Sequence, residues 1–311
     1  MRVALIVPVR NGGAVWRRVA ASILAQERRP DRVLVIDSES GDGSDEVARS
    51  CGFKVRRIPV SEFDHGGTRQ MAAEACRESD VLVYLTQDAE LASHQELGRL
   101  LHAFDDPQVG VAYGRQLPRR EAGPIEAHAR LFNYPPASDR RTLADAATRG
   151  LKAAFTSNSF CAYRTSDLFA VGGFPRRAIV SEDMIVAARE LQAGRAIAYV
   201  AQACAYHSHG YGIAQEFRRY FDIGVLHANE DWLLQAFGRA EGEGLRFVRS
   251  ETAYLAQSAA LRLPEAWLRV TVKLLAYRAG RLHRVLPRWL RRRCSMNRGY
   301  WSGASAQTRR P

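Results

Sequence analysis

The feature that most constrains this chain is the rhythm of its first half. Short apolar, β-branched runs each end in a polar turn bearing glycine or a carboxylate, and a helix-like segment follows each turn. Strands are predicted at residues 3–7, 32–36, 54–58, 81–85 and 109–113. Helices are predicted at 14–26, 44–51, 68–77 and 94–104, each behind a Gly, Asn, Asp or Ser start signal. Such alternation defines βαβ units and a largely parallel sheet. At 311 residues, 46% of them hydrophobic, the chain can bury one α/β domain with a helical appendage. The opening run MRVALIVPVR is too soon interrupted for a signal segment, and no later stretch reaches a clean membrane-spanning length, so a cytoplasmic location is expected. Five cysteines, odd in number and widely spaced, form no metal-finger pattern and point to reduced thiols.

Residues 119–151 read as a helix-loop excursion from the sheet. Residues 155–164 and 196–206 read as strands around a helix starting at Ser181, and 213–237 as a long helix before a glycine-bearing linker at 238–244. The expected division is a catalytic domain over 1–237 and a basic amphipathic helical region over 245–311. Of the net charge of +12, the stretch from Leu245 onward carries 15 Lys and Arg against Glu251 and Glu265, or +13. The rest of the chain is therefore near neutral. Arg262, Arg269, Lys273, Arg281, Arg284, Arg288 and Arg291 recur near multiples of a helical turn beside Trp267, Leu274, Leu282 and Trp289, with Pro287 set to break the helix. A basic amphipathic helix of this kind suits an anionic membrane surface. The competing reading is that its apolar stripe packs back on the catalytic domain. With no RNA- or DNA-binding module in the sequence, nucleic acid is not an expected partner.

Ligands of open α/β sheets bind beyond the carboxyl ends of the strands. The first four predicted strands run into Pro8–Gly13, Asp37–Ser44, Phe63–Arg69 and Thr86–Glu90. None carries the glycine pattern of a dinucleotide site or the lysine of a P-loop. Asp88 with Glu90 could instead hold a hard divalent cation against a diphosphate. The plainer alternative makes Asp88 a helix cap.

The ordered set PVRNGG, VIDSESGDGS, FDHGGTR and LTQDAE resembles the successive nucleotide-sugar motifs of glycosyltransferase family 2. YGRQLP, SNSFCAYR, SEDM and HSHGYGIAQEFRRYFDIG are similar to those of its rhamnosyltransferase-like members, and the likeness runs from Val3 to Gly224. It implies a GT-A-type α/β fold with a mixed sheet flanked by helices. It also implies inverting transfer, with dTDP-L-rhamnose as donor and a saccharide or lipid-linked saccharide acceptor in cell-surface polysaccharide synthesis. A UDP-sugar donor is the alternative. The Q-x-x-R-W element of processive polymerases is absent, so one sugar per encounter is expected.

Carried over by position, the resemblance places the donor against Pro8, Arg10, Asn11, Asp37, His65, Arg69, Gln87 and Asp88. Asp37 would meet the base and Arg69, in the first turn of its helix, the diphosphate. Mg²⁺ or Mn²⁺ would be held by Asp88 with Glu90 and His207, since Thr86 stands where the first Asp of the usual D-x-D belongs. Asp183 is the implied general base with Glu182 in reserve, and Arg115 and Asn158 would face the acceptor. Local alternatives stay open: Asp37 could start an Asx-turn, and Glu182 and Asp183 could be helix-start carboxylates behind a Ser181 cap. His207 and His209, two residues apart, would point to opposite sides if extended.

Overall fold

The computed structural model describes residues 1–238 and 242–301, so part of the predicted linker and the final Arg309 and Arg310 lie outside the described residues. The chain first lays down β1 (Val3–Val9), α1 (Gly13–Leu24), β2 (Arg32–Asp37), α2 (Ser44–Ser50), β3 (Lys54–Arg57), α3 (His65–Ala75) and β4 (Val81–Leu85). There follow β5 (Glu90–Leu91), α4 (Glu96–Leu101), β6 (Val109–Leu117), α5 (Pro124–Asn133), β7 (Asp139–Arg141), α6 (Ala146–Arg149), β8 (Phe160–Arg164), α7 (Thr165–Ala170), α8 (Glu182–Gln192) and β9 (Ala196–Tyr206). Helices α9 (Ile213–Asn229), α10 (Asp231–Phe237), α11 (Glu243–Ser258), α12 (Leu263–Arg281) and α13 (Arg288–Cys294) complete the described chain.

The strands form one sheet in the order β3-β2-β1-β4-β8-β6-β9-β5, with β7 also on β9. β3, β2, β1 and β4 are mutually parallel, but β8 enters antiparallel between β4 and β6. The sheet is therefore mixed, as the family resemblance implied, and not largely parallel as alternation alone suggests. Both faces are covered. Along β1, Ala4 and Ile6 enter one core while Val3, Leu5, Val7 and Val9 enter the other. Each large aliphatic side chain so buried contributes about 1.5–3 kcal/mol.

Three boundaries differ from expectation for local reasons. The helix foreseen at 68–77 begins at His65, because the Asp64 side chain accepts from the Gly67 N–H at 3.0 Å and caps it. The 213–237 helix divides at Glu230, which leaves helical geometry (φ −109°, ψ 53°). The strand foreseen at 155–164 starts only at Phe160, and residues Phe155–Ser159 line a cavity instead.

The C-terminal helices pack on the body. α12 crosses α9 with backbones nearly touching: a Cβ on Gly224 would lie 2.2 Å from the Tyr277 carbonyl oxygen, and one on Gly280 would lie 2.1 Å from that of Phe221. α11 meets α5 through His128, which stacks among Phe132, Phe247 and Tyr254. A long helix and then a short Arg-rich one follow as expected, but α12 already ends at Arg281 and Pro287 stands as the N-cap of α13.

Candidate active site

A cavity of about 1090 Å³ opens beyond the carboxyl ends of β1 and β4. Its sheet-side wall includes Pro8, Arg10, Ser38, His65, Arg69, Gln87 and Asp88. Its opposite wall comes from α5, α9 and α12, including Arg130, Arg219, Arg269 and Lys273.

Glu182 and Asp183 open α8, and their surroundings separate them. Glu182 is buried. It accepts from Asn158 Nδ2 at 3.0 Å and pairs with Arg69 at 3.1 Å. Burial alone would raise its carboxyl, but the charges of Arg69 and His65 outweigh that and hold it low. Asp183 accepts the Asn158 and Met184 N–H groups at 2.9 and 2.8 Å, and no cationic side chain among the described residues is bonded to it. Burial, then the neighbouring Glu182 charge, raise its carboxyl to about 6. Ser181 does not cap the helix: it sits at φ 57° and its side chain makes no cap bond. A non-glycine residue held there is strained, and such strain clusters where a site is being aimed.

The motif glycine Gly66 makes this arrangement possible. A Cβ there would lie 1.8 Å from the Pro175 carbonyl oxygen, so only glycine lets α3 lie against the segment leading to Ser181. Arg69 is thereby carried to Glu182. It sits beyond the first turn expected for it, nearly buried, and also donates to the His65 carbonyl at 2.9 Å.

On the other side of the cavity, Asp88, His207 and His209 offer one ligand atom each, all within 4.8 Å of one another. Asp88 Oδ1 lies 3.4 Å from His207 Nε2, and Oδ2 lies 3.6 Å from His209 Nδ1. The strand ends at Tyr206, so the alternation that would part the two histidines no longer applies, and their rings stand 4.6 Å apart. Gln116 Oε1 lies 3.0 Å from His207 Nδ1, which leaves Nε2 toward Asp88. One carboxylate oxygen and two imidazole nitrogens fit a divalent cation, Mn²⁺ better than Mg²⁺. Asp88 also receives Arg119 Nη2 on its backbone carbonyl at 2.5 Å. It is not a helix cap: Gln95 holds that position before α4.

The structure does not bring every expected residue to the cavity. Glu90 is paired with Arg18 at 3.1 Å in the β5 bridge to β9, so the metal group expected to include it takes His209 instead. Arg115 does not face the acceptor space. It donates to the Tyr134 carbonyl at 3.0 Å and is not among the lining residues. Asn158 does line the cavity, but its backbone N–H and both side-chain polar atoms are engaged, with Asp183, Glu182 and the Tyr163 hydroxyl, so it positions the carboxylates. Asn11 (φ 46°) and Gln87 tie strand ends together: Asn11 Oδ1 accepts the Gly41 N–H at 2.9 Å, and Gln87 Oε1 accepts that of Arg10 at 2.6 Å. Asp37 is fully buried at the end of β2, where Oδ2 accepts the Ser40 N–H and meets Arg57. Its Oδ1 has no partner among the described residues. A cleft lined by Glu39, Ser40, Arg57, Ile58 and Pro59 lies alongside.

Sequence reasoning gave Gln116 of the YGRQLP motif no role of its own, though it orients His207, and it left out the α12 part of the helical wall. Glu216 on α9 pairs with Arg269 and Lys273 of α12 at 3.1 and 3.3 Å. His209 was visible in the HSHGY motif; the α12 contribution had no motif to show it.

An α/β sheet with a cavity at its strand ends, an Asp–His–His group on one side and a raised carboxyl on the other is the layout of a glycosyltransferase of GT-A type. The profile of glycosyl transferase family 2 matches residues 4–170, and the chain belongs to that family. It is 41% identical over 303 residues, 97% of this chain and 96% of the other, to the O-antigen chain rhamnosyltransferase RfbN of Salmonella typhimurium. It is 43% identical over 299 residues, 96% and 95% of the two chains, to the O-antigen chain rhamnosyltransferase WbaN of Salmonella anatum. The fold is similar to that of the mannosyltransferase PcManGT from Pyrobaculum calidifontis, solved with GDP-Man and Mn²⁺: TM-score 0.62 at 19% identity, over 92% and 88% of the chains. It is also similar to that of S. aureus TarS 1–349: TM-score 0.54 at 16% identity, over 91% of each. The chain is an inverting glycosyltransferase of polysaccharide synthesis.

Proposed function

We propose that this enzyme transfers L-rhamnose from dTDP-L-rhamnose to a lipid-linked saccharide, working at the inner face of an anionic membrane. The observation that carries the chemistry is the unequal pair at the start of α8. Glu182 is neutralised by Arg69, whereas Asp183 faces the cavity with a raised carboxyl. Asp183 removes the acceptor hydroxyl's proton as that oxygen attacks the anomeric carbon, opposite the departing diphosphate. Near neutral pH its carboxyl is ionised yet close enough to 6 to be an effective base. The Asn158 and Met184 N–H groups hold it in place. Asp37, with its unpartnered Oδ1, would accept the N3 proton of thymine or uracil. A divalent cation at Asp88, His207 and His209 would neutralise charge on the leaving diphosphate.

Rhamnose as the sugar is supported by the two O-antigen relatives and by the T-Q-D-A and F-x-H-G-G-T-R forms. No helix among the described residues is long and apolar enough to cross a membrane. Association would therefore be peripheral. A thermal-shift and hydrolysis screen of dTDP-rhamnose, UDP-glucose and UDP-N-acetylglucosamine, with and without Mn²⁺, tests the donor. A response to a UDP-sugar and none to dTDP-rhamnose would overturn the sugar while leaving the fold and base intact.

A further inference from the structure

Helix α12 is apolar on two sides. Its inner side carries buried Ala266, Ala276 and Gly280 and presents Arg269 and Lys273 to the cavity. At 100° per residue the opposite side gathers Trp267, Leu268, Leu274, Leu275 and Arg278, continued by the C-cap Leu282, all exposed. Trp267 is 52% exposed, Leu275 55% and Leu282 62%, and a single charge, Arg278, interrupts the stripe. A surface helix ordinarily puts charge there. Contiguous exposed apolar surface marks a face that something covers.

Charge identifies the covering partner. No Asp or Glu follows Glu265, while twelve Lys and Arg do. A second copy presenting the same face would add its own Arg278 and no acidic side chain of that stripe to meet it, whereas an anionic bilayer offers opposite charge. The exposed Trp267 suits a lipid interface, with an apolar ring and an N–H that stays bonded, here to Thr252 Oγ1 at 3.2 Å. Much of the basic charge is nevertheless engaged inward. Arg269 and Lys273 pair with Glu216, and Arg281 and Arg284 donate to the carbonyls of His227 and Ala228.

The structure thus assigns the outer face of α12 as the membrane-docking surface, lying in the plane of an anionic bilayer and held mainly by apolar insertion rather than by charge. This rests on the membrane partner proposed above and names the side chains that meet it. The test uses the full chain with vesicles of phosphatidylcholine and phosphatidylglycerol, followed by sedimentation and tryptophan emission, with dTDP binding measured in parallel. Truncation would strip the cavity wall, so Leu274→Ser/Leu275→Ser is the variant, with Trp267→Ala as a second. Each should lower partitioning at least about tenfold, leaving dTDP binding unchanged. Raising salt to roughly 1 M, where the Debye length is about 3 Å, should lower it less than about threefold. Wild-type partitioning by both variants, loss of binding at high salt, or indifference to anionic vesicles would each overturn the assignment. So would light scattering that shows a dimer which the Leu variant converts to monomer, because a second copy would then be the cover. Failure to bind dTDP would sink the donor reading alone.

Discussion

The sheet-side wall of the cavity and its helical wall are built from different kinds of information. Arg10, Asp88, His65 and Arg69 all stand within a few residues of a strand end or helix start, so short stretches of chain place them. Arg269 and Lys273 reach the same cavity only because two glycines, 56 positions apart in the chain, let α12 lie against α9. The first wall holds chemistry fixed by local turns. The second depends on a long-range crossing that a single methyl group disturbs. Substitutions on the two sides should therefore fail in different ways.

The largest loss is expected at Asp88. Asp88→Asn keeps the size of the side chain and removes the charge that gathers His207 and His209, so turnover should fall by at least roughly a thousandfold. Any Mn²⁺ enhancement of dTDP binding, read by calorimetry, should vanish. Retained turnover would mean the three-residue group does not hold the cation.

Asp183→Asn comes next. Loss of a general base lowers the transfer rate by at least about a hundredfold, with dTDP affinity unchanged. Because the Asp183 carboxyl is raised and only its ionised form accepts a proton, the wild-type rate should climb with pH up to about 6 and level off above. That rise should be missing from the residual activity of the variant. Glu182→Gln breaks a buried pair with Arg69 instead, so its main effect should be lost stability, of the order of 3 kcal/mol. If Glu182→Gln folds normally and is the inactive one, the two roles are exchanged.

The smallest effect, and the one that sharpens the contrast, belongs to the helical wall. Gly280→Val drives a side chain into the Phe221 carbonyl and should cost about 1–3 kcal/mol in thermal unfolding. It should raise the acceptor KM while leaving dTDP binding intact. Equal damage to donor binding would show that the two walls are not separable.

The same division explains what the sequence made legible. Apolar runs and their polar ends located β1 to β4, and the ordered motifs pointed to Asp88, His207, Glu182 and Asp183, because those residues lie close in the chain to the elements that aim them. Glu90 and Arg115 could not be sorted in this way. Whether a carboxylate beside Asp88 faces the cavity depends on β5 pairing with β9, more than a hundred residues away, and Arg115 turns to the Tyr134 carbonyl within the 119–151 excursion. The tail was readable as basic and amphipathic. Which of its cations are tied inward by Glu216 and by the carbonyls near the end of α9 follows only from the packing.

The crossing of α9 and α12 also sets an order of manufacture. The sheet is complete in sequence by Tyr206, while the wall carrying Arg269 and Lys273 is translated some sixty residues later, and the Met296–Asn297 segment that Asp222 anchors at the cavity edge later still. At about 5–20 residues per second, a nascent chain spends several seconds with the residues of its sheet-side wall made and those of its helical wall not yet made. The cavity can thus close only after its sheet-side wall has been made.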